Sequence, residues 1–162
     1  MQVGKLIAVT GVSLALLTGG ATLANAQDAA AKVKDAMSML KEQAAALGAP
    51  KLDGDSLFMG TTEMNGNFDI VDEIADAKSC TATIFAKKDA NFVRVATNVI
   101  KEGKRAVGTI LDPAGAAYAD INKGEAHYGP VDILGKQYEA GYEPIKDESG
   151  AIIGILYVGY KL

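Results

Sequence analysis

The sequence predicts an α+β fold, a mostly antiparallel sheet with helices packed on it. Three observations carry that prediction. Residues 136–160, KQYEAGYEPIKDESGAIIGILYVGY, read as two long strands joined by the polar turn Asp147-Glu148-Ser149-Gly150. The second strand, 151–160, is apolar or glycine throughout, the pattern of a strand covered on both faces. Upstream, helical and strand periodicities alternate across short connections, and short connections between consecutive strands imply antiparallel pairing.

A chain of 162 residues suits one domain, and 49% hydrophobic with 22% charged residues is ordinary globular composition. The net charge of −4 gives no footprint for nucleic acid, so no nucleic-acid partner is expected. The N-terminus reads as a targeting segment. Lys5 is a minimal charged region, residues 6–23 are apolar with breaks at Gly11, Gly19 and Gly20, and Ala24-Asn25-Ala26 is a small-x-small cleavage site. This predicts a signal peptide over residues 1–26, cleaved after Ala26, and a soluble periplasmic protein. The competing reading is an uncleaved anchor, disfavoured by the glycines and the cleavage site, which cut the apolar run close to bilayer length. The expected domain plan is a signal peptide (1–26), an N-terminal helix (27–48) and one PAS-like domain (49–162).

The elements follow in order. Ala30, Val33, Met37, Leu40, Ala44 and Leu47 recur at helical spacing, with Asp28 placed as an N-cap and Gly48 and Pro50 as a stop. This stripe could pair with a second copy, giving a homodimer, or lie on the sheet. Residues 51–55 read as a polar linker, 56–59 as a short strand, and Asn65-Gly66 as a turn. Asn67 is placed to cap a helix over 68–78, acidic early and ending in Lys78. Residues 80–86 and 91–99 are rich in β-branched and aromatic types and read as a hairpin. Residues 106–111 read as extended. Asp112 and Pro113 are placed as the start of a helix carrying Ala114, Ala117, Tyr118 and Ile121 on one face, stopped at Lys123-Gly124. Residues 125–133, interrupted by Gly129-Pro130, form the next strand before the terminal hairpin. The order suits a PAS-like or profilin-like α+β sandwich.

Few residues point to chemistry. No phosphate-binding glycine loop, G-x-S-x-G or H-E-x-x-H is present, and nothing resembles a catalytic constellation. The expectation is no enzyme; the best residues for one, His127, Tyr128 and Asp132, have no supporting motif. One Cys and one His leave no zinc or haem motif, and no cofactor is expected. Cys80 is either buried or free to pair with another chain; its parity with Ala82 and Ile84 favours burial. Arg94 sits inside the apolar run Phe92-Val93-Arg94-Val95-Ala96 and shares parity with Phe92 and Ala96. A guanidinium there needs a carboxylate, from a ligand or from the protein, unless it faces solvent. Tyr118, Tyr128, Tyr138 and Tyr142, with His127 beside Tyr128, lie between the third helix and the terminal hairpin, and tyrosines suit a pocket wall.

Several stretches resemble one family. FVRVATNV at 92–99, RAVGTILDP at 105–113, AAYADINKGEAHYGPVDILGKQY at 116–138 and GYEPIKDESGAIIGILYVG at 141–159 resemble the single Cache sensory domain, of the Cache 3/Cache 2 fusion type. That domain is common as the extracytoplasmic part of bacterial chemoreceptors and sensor kinases. NGNFDIVDEI at 65–74 and TATIFAKKDANF at 81–92 also fit, so the resemblance spans roughly 55–160. It implies a long N-terminal helix, a PAS-like sheet, and a pocket for small organic molecules, often carboxylates. By position, Arg94, Tyr118, Tyr128, Tyr138 and Tyr142 match motif positions that line such a pocket. The chain departs from the receptors in ending at Leu162, just after the last strand. The resulting expectation is a stand-alone module that binds a small organic anion and passes its state to a membrane-bound signalling partner. The alternative is a protein–protein interaction module with a vestigial pocket.

Overall fold

A computed structural model describes residues 20–162, with side chains described from Ala24 onward. The chain runs α1 (Gly20–Ala46), β1 (Pro50–Asp53), β2 (Ser56–Met59), β3 (Thr62–Glu63), α2 (Asp69–Lys78), β4 (Thr81–Lys88) and β5 (Asn91–Thr97). It continues through β6 (Ile100–Lys101), β7 (Lys104–Arg105), α3 (Ala116–Asn122), β8 (His127–Ile133), β9 (Lys136–Lys146) and β10 (Ile152–Lys161). The α+β class read from the sequence is the class observed.

The terminal hairpin holds the middle of the main sheet. Its five strands run β5-β4-β10-β9-β8, and every neighbouring pair is antiparallel. Two apolar layers form, one per face. On one face α1 and α2 bury Val33, Met37, Leu40, Val71 and Ile74 against Ile84, Leu156 and Val158. On the other, Phe85, Phe92, Tyr138, Tyr142, Ile155 and Tyr157 pack with Ala117 and Ile121 of α3. Strand β10 is buried without a break from Ile153 to Gly159, which explains its unbroken apolar run. Gly154 is where the helical layer closes in: a Cβ there would meet the Phe85 carbonyl, Ile145 and Leu57.

Several boundaries differ from the sequence reading. The helix predicted over 27–48 spans Gly20–Ala46, so it begins ahead of Ala24-Asn25-Ala26. The rest of the predicted signal peptide, residues 1–19, lies outside the described residues. Among the described residues no helix is long and apolar enough to cross a membrane. The polar linker at 51–55 is strand β1 and its turn, because its backbone pairs with β2 from Pro50↔Met59 to Asp53↔Ser56. Asp112 does not cap α3. Its Oδ1 accepts from the Ala114 N–H in a tight turn, and the helix starts at Ala116 behind Gly115. The heptad-like stripe does not face outward. Met37 and Leu40 are 1% and 0% exposed beneath the domain's own sheet, so they are not free to pair with a second copy.

Strand β5 carries the local feature that shapes the site. Ile84 pairs with Ala96 but Phe85 pairs with Arg94, so Val95 is an extra residue, a β-bulge. The bulge turns Val95 and Ala96 into the helical layer and leaves both Arg94 and Thr97 on the opposite face. The shared parity of Arg94 and Ala96 expected from simple alternation is therefore broken. Outside β5, residues 106–111 run alongside it: Arg94 N–H donates to Thr109, Gly108 N–H to Arg94 and Leu111 N–H to Phe92. At the other margin β8 is an open edge that contains Gly129 and Pro130, a proline placement edges allow.

Candidate functional site

The face opposite α1 is hollow between the sheet, the 110–117 segment and the end of β8. The cavity holds about 390 Å³, and its wall includes Arg94, Ile110, Leu111, Ala117, Val131 and Tyr142. Short β-sheet geometry delivers Arg94 and Tyr142 from two strands, and the irregular 106–112 segment closes one side.

Arg94 is 5% exposed and has no ion-pair partner among the described residues. One terminal nitrogen, Nη1, donates to Thr109 Oγ1 at 2.9 Å and to the Ile110 carbonyl at 3.4 Å. Its Nε is buried and makes no hydrogen bond. The guanidinium lies 4.9 Å from the centroid of the Phe85 ring, a cation–π contact. Burial pulls the Arg94 pKa below the ordinary arginine value. A guanidinium nonetheless stays charged in proteins, so the cavity holds a fixed cation whose fork is only partly used. Tyr142 is 2% exposed, stacks against Tyr157 at 4.9 Å between centroids, and has its pKa pushed up to about 12 by burial. It is therefore a neutral phenol on the cavity wall.

The structure brings together only some of the predicted site residues. Arg94 and Tyr142 share the cavity. Tyr138 lies on the same face but lines a neighbouring groove with Ile100 and Leu134. Tyr118 packs edge-on to Phe92 and donates from its hydroxyl to the Ala90 carbonyl at 2.6 Å, fastening α3 to the β4–β5 hairpin. His127 pairs through Nδ1 with Asp120 at 2.9 Å, fastening α3 to β8, and its ring tilts against Tyr142 at 6.2 Å. Tyr128 is on the other side of the sheet. Its ring covers Gly141 next to Val33 of α1, and its hydroxyl donates to Glu143, which also pairs with Lys41 of α1. Adjacent residues of a strand face opposite ways, so His127 and Tyr128 cannot serve one pocket.

The sequence reading missed Ile110 and Leu111 as wall residues and Thr109 as the partner of Arg94, and the only signal for the wall was the apolar pair ahead of Asp112-Pro113. Asp132 contributes to the wall, but its carboxylate accepts from the Gly135 N–H at 2.8 Å and from Gln137 at 3.2 Å. The second arginine, Arg105, is structural. It forks onto Asp72 with bonds of 2.7 and 2.8 Å and stacks on Phe68 at 4.3 Å. Among the described residues no group of three His, Cys, Asp or Glu is placed to hold a metal ion.

Comparison with known proteins agrees with this architecture. No curated protein sequence matches the chain. Among solved structures it is similar to one titled methyl-accepting chemotaxis protein X, at 17% identity and TM-score 0.52, covering 86% of this chain and 59% of that one. It is also similar to the sensor domain of DcuS from E. coli (14% identity, TM-score 0.48, covering 83% of this chain and 86% of that one). A third is the ligand-binding domain of the Campylobacter jejuni chemoreceptor Tlp3, solved with L-valine (12% identity, TM-score 0.43, 86% and 61% coverage). The first of these likenesses shows the fold alone. A sequence model of the Cache 3/Cache 2 fusion domain matches residues 13–162, which takes in α1 as well as the sheet, and the chain belongs to that family of sensory ligand-binding modules.

Proposed function

We propose that this domain is an exported sensory module that binds a small organic carboxylate at Arg94 and Tyr142 and passes its state to a membrane-bound signalling partner. The observation that carries the reading is the buried guanidinium of Arg94, which lines a cavity, lacks an acidic partner among the described residues, and has an unbonded Nε. A charge taken out of water without a partner is costly, and a carboxylate arriving in the cavity removes that cost. Extracytoplasmic placement of relatives in this family supports export, and the small-x-small pattern Ala24-Asn25-Ala26 is what supports cleavage after Ala26. The helix α1 is the natural messenger. It packs on β9 and β10 behind the cavity, and Lys41 reaches Glu143 of β9. With Met37 and Leu40 buried, any homodimer or partner contact uses the outward face of α1.

A thermal-shift screen of the purified protein against small carboxylates, amines and neutral analogues tests this. A ligand at about 100 times its Kd stabilises by about 2.7 kcal/mol, an increase in Tm of roughly 5–10 °C for a domain of this size. The shift is expected for carboxylates only. It is expected to vanish in Arg94→Gln, because losing one partner of a buried charge pair costs about 2–5 kcal/mol. A flat screen on folded protein, or a shift retained in Arg94→Gln, overturns the reading.

A further inference from the structure

We infer that the cavity selects a monocarboxylate with an uncharged apolar body and rejects dicarboxylates. The inference rests on the Arg94 reading above and narrows it to a ligand class. Arg94 is the single cation among the described residues lining the cavity. Its Nη1 is occupied by Thr109 and the Ile110 carbonyl and its Nε is sealed from the cavity, which leaves Nη2 as the accessible donor. One charged donor suits one carboxylate. Tyr142, on the same wall, adds a neutral phenol.

Beyond those polar groups the wall turns aliphatic. Ile110, Leu111, Ala117, Val131 and Ile133 line the rest, and at about 390 Å³ the cavity has room for several carbons past the carboxylate. The remaining ionised side chains on the wall are acidic. Asp132 is turned toward its own β8–β9 turn, and Asp112 is exposed at the rim. A second carboxylate on the ligand would lie against aliphatic side chains or approach Asp112, with no cation to meet it. Desolvation and like-charge repulsion both act against it.

The test is calorimetric titration of the wild-type protein with acids matched in carbon number: butyrate against succinate, and hexanoate against adipate. The monocarboxylate is expected to bind at least tenfold more tightly in each pair. Affinity is expected to rise about fourfold per methylene from acetate to hexanoate, the hydrophobic increment of a buried CH₂. Succinate or adipate binding as tightly as its partner overturns the inference and leaves the Arg94 reading standing. Binding by neither kind of acid overturns both. Ile110→Lys gives an independent check, since Ile110 is 46% exposed on the cavity wall and its replacement leaves the core intact. The variant, folded by circular dichroism, is expected to gain succinate binding. An unchanged preference for the monocarboxylate in that variant overturns the charge argument.

Discussion

At the scale of single residues, the environment of each polar group decides what it can do. Arg94 and Arg105 are the only arginines in the chain, and their surroundings separate them. Arg105 finds Asp72 and a phenyl ring; Arg94 finds a phenyl ring, a threonine and a cavity. Cys80 shows the same dependence. It is half-buried near Tyr160 and the Ile74 carbonyl, and burial raises its pKa to about 11. A thiol at pH 8 is then almost wholly protonated, and the thiolate is the reactive form. Cys80 is expected to react with iodoacetamide at pH 8 at least tenfold more slowly in the native protein than in the unfolded one. Equal rates, read by mass spectrometry, would show an accessible and reactive thiol. Arg94 and Tyr142 stood out as pocket candidates because a guanidinium inside an apolar strand and a run of tyrosines both ask for a polar partner, and both line the cavity. Alternation along a strand separates His127 from Tyr128, and grouping them by proximity in sequence went against it. The Val95 bulge was not legible, since nothing in Arg94-Val95-Ala96-Thr97 distinguishes an extra residue from a regular one.

At the scale of elements, the signals for buried faces and for helix stops agree with the structure, and those for N-caps do not: α2 and α3 start behind Phe68 and Gly115, with no side-chain cap. The spacing of Val33, Met37, Leu40 and Ala44 gave α1 and its buried face, but not what it faces, because a sheet and a second helix ask for the same stripe. The 106–111 segment has no period to read; its hydrogen bonds go to β5, and only the folded sheet creates that acceptor row. Packing of α1 on the sheet can be tested at Leu40, which is fully buried. Leu40→Ala is expected to lower stability by about 2–5 kcal/mol, the usual cost of a large-to-small change in a core. Chemical denaturation measures it. A change below 0.5 kcal/mol, on the order of a surface substitution, would mean that α1 is not docked as described.

At the scale of the whole molecule, the buried phenols give the fold an alkaline limit. Burial raises the pKa of Tyr142 and Tyr160 to about 12 from the ordinary 10.0, and raises Tyr157 well above it. A raised phenol pKa means the folded protein keeps protons that the unfolded chain sheds above pH 10. Stability from these groups is therefore unaffected below pH 9 and falls as pH rises through 10 toward 12. Urea midpoints at pH 8, 10 and 11.5 are expected to fall at each step, modestly by pH 10, where the unfolded chain has begun to shed the phenol and Cys80 thiol protons, and markedly by pH 11.5. A level midpoint at pH 11.5 would place these hydroxyls in water.

The two margins of the main sheet are unequal. Beyond β5 the row of backbone groups is taken up by residues 106–111, while beyond β8 no strand pairs among the described residues and Pro130 offers that edge no N–H. An unguarded edge is a template on which further strands add, and a proline in it breaks the template. The proline removes one donor from that margin. Pro130→Thr restores it and is expected to increase strand-on-strand association at high concentration, read by light scattering; scattering equal to that of the wild type would mean that the edge is guarded in another way.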